Sequence, residues 1–424
     1  MKPKSILPLP AALALVVAFI AGGCRSAGAP NPPVVSGTAT GLCGVPLMLV
    51  ATATDPQGDM VAYRFDWGDG QTSGWSGYTA SGTADSLAHP WDSANTYAVR
   101  AQAADHEGHT SPWSGAFTVV IDTLPSQSYP DSVVDSVATG GEPFGPCLLP
   151  NGQYLYVPCR ELDSVMVIRT SDNQVVKTVF AGEYPCFAAA SPDGNRVYVS
   201  SSGGNTVSVI RTSDNGVETT IDVSGPSVGL AMLPNGEYVY VAHTDSNTVS
   251  VIRTSDNTVV AEVVVGSGPS CVAPLPNSQW VYVSCHSSNE VWVIRTSDNT
   301  AVKTIRMPDY PEGIGATPDG KHVYVACGYA DSVAVISTET DSVVGEIHIP
   351  GHPGGLGVLP NGSYVYVSSY EGDLVSVIRT GDNAVVGTIP IAGAPEYYAF
   401  QPGSSQAYVT CRVGDKVMVI APSH

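Results

Sequence analysis

Across 424 residues, 38 Asp and Glu against 18 Lys and Arg leave a net charge of −20. This excludes a nucleic-acid partner, because affinity for a phosphate backbone is carried by Lys and Arg. Only 13% of the residues are charged, 43% are hydrophobic, and Gly and Pro number 44 and 33, which excludes a mainly helical chain and points to an all-β, turn-rich one of two or three domains.

Residues 1–23 read as an export signal. Lys2 and Lys4 precede an apolar run from Leu13 to Ile20, and small residues follow at Ala21-Gly22-Gly23. Pro8 and Pro10 interrupt the segment, and its apolar run is shorter than the roughly 20 residues of a permanent span. Ala21-Gly22-Gly23-Cys24 resembles a bacterial lipobox, with Ala21 where a leucine is usual. The resemblance implies that Cys24 becomes the lipidated first residue, so that the membrane is met through that lipid only. The alternative is cleavage after Ala27-Gly28-Ala29, which gives a secreted protein.

A linker (24–33) leads into residues 34–122. Here stand Ala53-Thr54-Asp55-Pro56-Gln57-Gly58-Asp59, Phe65-Asp66-Trp67-Gly68-Asp69-Gly70, His89-Pro90-Trp91 and Tyr97-Ala98-Val99. Apolar alternation bounded by Gly, Asp and Pro reads as a β-sandwich. These words resemble a PKD-type immunoglobulin-like domain, which implies a surface-exposed spacer or binding module. Asp55, Asp59 and Asp66 are calcium candidates, since Ca²⁺ takes clustered oxygen ligands. The alternative is turn chemistry, with the carboxylates capping backbone N–H groups. Trp67, Trp75, Trp91 and Trp113 offer either a carbohydrate platform or core and edge packing.

A second linker (123–131) precedes seven repeats, counted in steps of 42 residues, over 132–424. Arginine recurs at Arg169, Arg211, Arg253, Arg295 and Arg379, with Ser337 in that place between Arg295 and Arg379. Each repeat reads as four strands. Val249 and Val251 alternate with smaller residues, as in a half-buried strand. Pro-Asn-Gly (Pro234, Asn235, Gly236) and Ser-Asp-Asn (Ser255, Asp256, Asn257) supply tight turns. Tyr238-Val239-Tyr240-Val241, Asn247-Thr248-Val249-Ser250-Val251-Ile252 and Thr258-Val259-Val260 resemble the YVTN family of β-propellers, which implies a seven-bladed propeller. The chain departs from that family at Arg253, where Asp is usual, and at Cys159, Ser201, His243, Cys285, Cys327, Ser369 and Cys411, where Asn is usual. The region opens on an outermost strand, Ser132 to Thr139, and closes on a third strand, Lys416 to Ile420. The first is therefore expected to pair beside the last, which removes an open edge.

Strand alternation puts the near-invariant Pro-Asn-Gly and Ser-Asp-Asn turns at one face and the diverse connections at the other. On that variable face the candidate ligand-binding residues are Arg160, Tyr184, His243, His286, Tyr310, Glu312, His352, Tyr370, Glu396 and Arg412. His243, Cys285 and Cys327 occupy equivalent places in three consecutive repeats, where they offer soft-metal ligands or small packed residues. Cys271 and Cys285 come out as diagonal neighbours about 7–8 Å apart, near the limit for a disulfide.

No Ser-His-Asp order, phosphate loop or zincin helix stands in the sequence. The expected function is therefore binding or scaffolding in the cell envelope, with an envelope protein, a glycan or a small molecule as partner. Two alternatives stand beside it. One is a propeller enzyme, quinoprotein-dehydrogenase-like or lactonase-like by fold analogy, using the same face. The other is glycan binding through the PKD-like domain.

Overall fold

Val, Tyr and Ile crowd the second and third strands of every repeat, and such residues favour extended backbone against covered surfaces. The computed structural model describes residues 28–37, 39–42, 47–122 and 129–422. It is nearly all β, and the 3-10 turns Arg160–Leu162 and Gly328–Ala330 are its only helical pieces among the described residues. Contacts divide the chain into Met1–Ser126 and Gln127–His424. The export segment and Cys24 lie outside the described residues, as do Cys43 and residues 123–128 of the second linker.

The first unit has two sheets. One joins Val34–Gly37, Leu47–Thr52 and Asp85–His89, and the other joins Thr40–Leu42, Phe117–Asp122, Asn95–Asp105 and Val61–Asp66. Leu49 and Ala51 of the first share a core with Tyr63, Phe65, Val99 and Val119 of the second. Trp67 and Trp91 belong to that core, with Trp67 stacked on His89 at 4.7 Å. Trp75 and Trp113 flank the Arg64 guanidinium, at 4.7 and 5.3 Å. Two of the calcium candidates, Asp55 and Asp66, serve turns. Asp55 Oδ1 accepts from the N–H groups of Gln57 and Asp59 at 2.8 and 3.1 Å, and Asp66 Oδ1 accepts from Gly68 N–H at 3.1 Å.

In the second unit the described residues form seven antiparallel sheets of four strands, a propeller-like repetition. One sheet consists of Ser227–Met232, Tyr238–His243, Thr248–Arg253 and Thr258–Val264. The first strands of consecutive sheets touch one another in chain order, and that of the last sheet (Pro395–Phe400) touches that of the first (Cys147–Leu148). The last sheet takes Ser132–Ala138 as its fourth strand, with Val137 opposite Val417.

The third strands are more deeply covered than their alternation suggests. Val249, Ser250, Val251 and Ile252 are all buried. Apolar clusters run from each sheet into the next, as where Val249 and Val251 meet Val281 and Val283, so both faces of a sheet are covered. The fourth strands keep the exposed surface.

A second link joins the sheets. Tyr198, Tyr240 and Tyr324 donate their hydroxyls to Asn257, Asn299 and Asn383, each 59 residues on, at 2.7, 2.6 and 2.6 Å. These asparagines end the Ser-Asp-Asn-type turns at φ of +56°, +52° and +59°, in the left-handed region that Asn tolerates. Gly236 takes +75° in its Pro-Asn-Gly turn, where a side chain would be strained.

Candidate binding site

At the variable end of the second unit, the backbone is bent by a repeated device. Asp163, Asn289, Asp331 and Asp415 take left-handed backbone at φ of +47° to +54°. Each offers a side-chain oxygen to the next loop: to the N–H of Tyr184 (2.9 Å), Tyr310 (3.0 Å), His352 (2.9 Å) and Glu142 (3.0 Å). Those four acceptors of strain have φ of +51°, +62°, +58° and +53°. A left-handed non-glycine residue costs about 1–2 kcal/mol, so the bracing hydrogen bond offsets a real penalty. Proline follows each of them (Pro185, Pro311, Pro353, Pro143) and starts or precedes the first strand.

The loops so fixed carry a row of rings. His286 lies 4.9 Å from Tyr310, Tyr310 4.4 Å from Tyr329, Tyr329 5.0 Å from His352, and His352 6.4 Å from Tyr370. The Arg412 guanidinium lies 5.2 Å from the Tyr370 ring centre. It also reaches Glu396 at 3.2 Å and Glu142 at 3.3 Å.

At one position of the first strands, spaced by 42 residues, stand Cys186, Val228, Ser270, Glu312, Gly354 and Glu396, with Phe144 at the matching place just before Cys147–Leu148. Two carboxyls therefore flank a glycine. Glu396 is 5% exposed; its Oε1 meets Arg412, and its Oε2 is buried with no partner. Burial pushes its carboxyl up to about 7, with Arg412 pulling down, Glu312 pushing up and Arg160 pulling down. Burial also raises Glu312, against His352 and Arg412. For Arg412, burial disfavours the charge, but Glu396, Tyr370 and Glu142 outweigh it and its pKa rises.

Arg160 lies over Phe144 at 4.6 Å and 5.7 Å from Tyr184, and its Nε is buried without a partner. Beneath it Phe144, Phe187 and Tyr397 form a triangle of centroid distances 5.4, 4.8 and 4.6 Å. Tyr397 Oη sits 3.9 Å from Cys271 Sγ. At the opposite end of the first strands lies a cavity of about 380 Å³. Pro234, Val272, Pro274, Ile314 and Pro318 are among its lining residues, none of which ionises. A second cavity, of about 220 Å³, lies among the uniform turns and is lined in part by Asp193, Arg196 and Tyr198.

Nine of the ten expected face residues take part in these contacts. His243 does not: it is fully buried on the second strand of its sheet, with Nε2 2.5 Å from Ser250 Oγ and Nδ1 3.4 Å from Ser227 Oγ. Burial lowers its pKa, against Glu262. Cys285 and Cys327 are likewise buried, with thiols directed at Val283 O and Val325 O. Burial pushes both thiols up to about 12. Among the described residues, no group of three or more His, Cys, Asp or Glu is placed to hold a metal ion. Cys271 and Cys285 are both free thiols; their hairpin sets Cys271 opposite Ser284 and Cys285 opposite Pro269.

Sequence reasoning passed over Tyr329, Phe187, Tyr397 and Cys271 as site residues. Subtracting the common repeat would have found Tyr329, whose counterparts are Glu161, Gly203, Asp245, Ser287, Glu371 and Val413.

No protein-family description matches the chain, and no curated protein does. Among solved structures it is similar to a chain of Kuenenia stuttgartiensis hydrazine synthase, with a TM-score of 0.61 at 21% identity. The match covers 68% of this chain and 97% of that one. At that identity the likeness carries the fold alone: repeated antiparallel sheets arranged as in a propeller.

Proposed function

We propose that the chain is an exported cell-envelope protein, anchored through lipid on Cys24, that binds a ligand or partner on the variable face of a seven-bladed YVTN-type propeller. A PKD-like sandwich over 34–122 serves as a spacer between anchor and propeller. The 42-residue register and the touching of first strands in cyclic order support the seven-bladed reading. A shared core between two sheets supports the sandwich.

One observation carries the binding reading. The side chains that break the repeat gather at one end: Tyr310 and His352 on loops braced in strained conformations, and Glu396 and Arg412 paired with each other and linked to that row through Tyr370. Strain held by the surrounding structure is a mark of functional sites, and a rigid frame with variable loops suits binding. The test is affinity capture from envelope extract with the full chain and with a Tyr310→Ala/His352→Ala/Arg412→Ala variant. The variant is expected to lose partners that the native chain holds; an identical set for both sinks the reading. Mass spectrometry of the mature N-terminus tests the anchor: a chain starting at an unmodified Pro30 overturns it.

The enzyme reading has one observation in its favour. A carboxyl held near neutrality by burial, as in Glu396, has the poise of a general acid or base. Catalysis predicts turnover of a captured small molecule and its loss in Glu396→Gln, whereas binding predicts capture without turnover.

A further inference from the structure

Several buried polar atoms at the variable end make no hydrogen bond, and they are of more than one kind. Arg160 Nε–H and Arg412 Nε–H are donors, and Glu396 Oε2 accepts when the carboxyl is ionised. Buried groups of this sort are ordinarily satisfied, so the group that completes the site has to donate and accept. A simple anion or a simple cation answers only one kind. A hydroxyl does both, and neighbouring hydroxyls do so with spacing to spare.

Charge points the same way. Arg412 is already shared by Glu396 and Glu142, and Arg160 lies beside aromatic faces. Two guanidiniums among Glu142, Glu312 and Glu396 leave no strong excess of either sign. The chain's net charge of −20 repels polyanions.

The rings supply the third element. From Tyr370 through His352, Tyr329 and Tyr310 to His286, successive centroids are 6.4, 5.0, 4.4 and 4.9 Å apart. The row begins beside Arg412, at the polar site, and runs away from it across successive sheets. Tyr329 is 65% exposed although it sits among other rings, so its apolar face is available. Sugar rings present C–H groups on their faces and hydroxyls at their edges, which matches aromatic faces with polar tips.

We infer that the ligand of this face is an uncharged saccharide chain, with its end unit over Glu396 and Arg160 and further units along the ring row from Tyr370 to His286. This rests on the binding reading of the variable face and names the ligand class for it.

The test is calorimetric titration of the full chain with neutral oligosaccharides of two to six units: glucose, galactose, mannose and N-acetylglucosamine polymers in α and β linkage. Affinity is expected to rise with length for at least one series. Tyr329→Ala, an exposed position whose loss leaves the fold intact, is expected to weaken the longer members by about tenfold and the shortest far less. Glu396→Gln is expected to weaken all members by about tenfold. Trp75→Ala in the first unit should change nothing. No binding by any series at millimolar sugar overturns the inference. So does binding that Trp75→Ala abolishes and Tyr329→Ala spares, or a site that takes only charged small molecules. If face variants still lose captured partners while no saccharide binds, the ligand class alone is wrong. If they lose none, the binding reading falls with it.

Discussion

A carboxyl that is 5% exposed, with one oxygen on Arg412 and the other unpaired, titrates far from its ordinary range. For Glu396 the folded value of about 7 stands above the ordinary 4.5, through burial first. The folded state therefore holds a proton that the unfolded chain releases. Its stabilising contribution is complete below about pH 4.5 and is lost as pH rises through about 7. Glu312, Arg160 and Arg412 are the charged groups that act on it. Chemical denaturation across that interval should show stability declining by roughly 1–3 kcal/mol, and Glu396→Gln should flatten the decline. An equal slope in both chains would assign it elsewhere. His352 gives a second residue-scale prediction. At φ of +58°, alanine keeps the strain and loses the ring, while glycine loses both. His352→Gly should be more stable than His352→Ala by about 1 kcal/mol, read from urea midpoints. Neither effect was legible beforehand. Sequence gave Glu396 and His352 as ionisable residues in diverse loops, but burial and backbone sign arise from neighbours that the repeat brings in from elsewhere.

Four of the seven sheets are tied to another by a tyrosine and an asparagine that the chain separates by 59 residues, and a fifth by Tyr282 and Asp341 at the same spacing. Strand and turn were readable one by one, because Tyr-Val alternation and Ser-Asp-Asn chemistry are local. Their partnership was not, because in a repeat every tyrosine has a nearly identical set of candidate asparagines, and only the angle between sheets selects one. The buried third strands were misread for the same reason: alternation reports contacts within a sheet, and here the covering surface comes from another. His243 was misplaced likewise, since it ends the Tyr-Val strand and its ring is enclosed between Ser227 and Ser250 of the neighbouring strands. The Tyr198–Asn257 link separates two terms. Tyr198→Phe removes one hydrogen bond and should cost about 0.5–1.5 kcal/mol. Asn257→Gly loses the same bond but tolerates +56°, while Asn257→Ala loses the bond and strains the turn. The expected order of stability is native, then Tyr198→Phe and Asn257→Gly, then Asn257→Ala, lower by a further 1–2 kcal/mol or so. Equal loss for the glycine and alanine variants would show that the turn geometry contributes nothing.

Over the whole second unit, one pairing joins residues near opposite ends of the repeat region. Ser132–Ala138 lies beside Lys416–Ala421, with Val137 opposite Val417 and Asp135 opposite Val419. Neighbouring bonds reinforce it: Asp131 N–H to Ala421 O at 3.1 Å, and Tyr366 Oη–H to Pro130 O at 2.7 Å. The opening strand and the missing last strand were both visible in the sequence, because 42-residue counting leaves one surplus at the start and one deficit at the end. Without Ser132–Ala138, the strand Lys416–Ala421 becomes an open edge, and Val417, Val419 and Ile420, fully buried now, gain exposure. An unpaired apolar edge recruits other chains. Replacing Ser132–Ala138 in the full chain with a Gly/Ser segment of equal length should therefore yield concentration-dependent oligomers by size-exclusion chromatography, together with a lower melting temperature. Adding a synthetic peptide spanning Pro130–Thr139 should return the monomer, because the loss is of a strand and not of the chain's ability to fold. A variant that stays monomeric with native melting behaviour would mean that the last sheet is held by its neighbours alone.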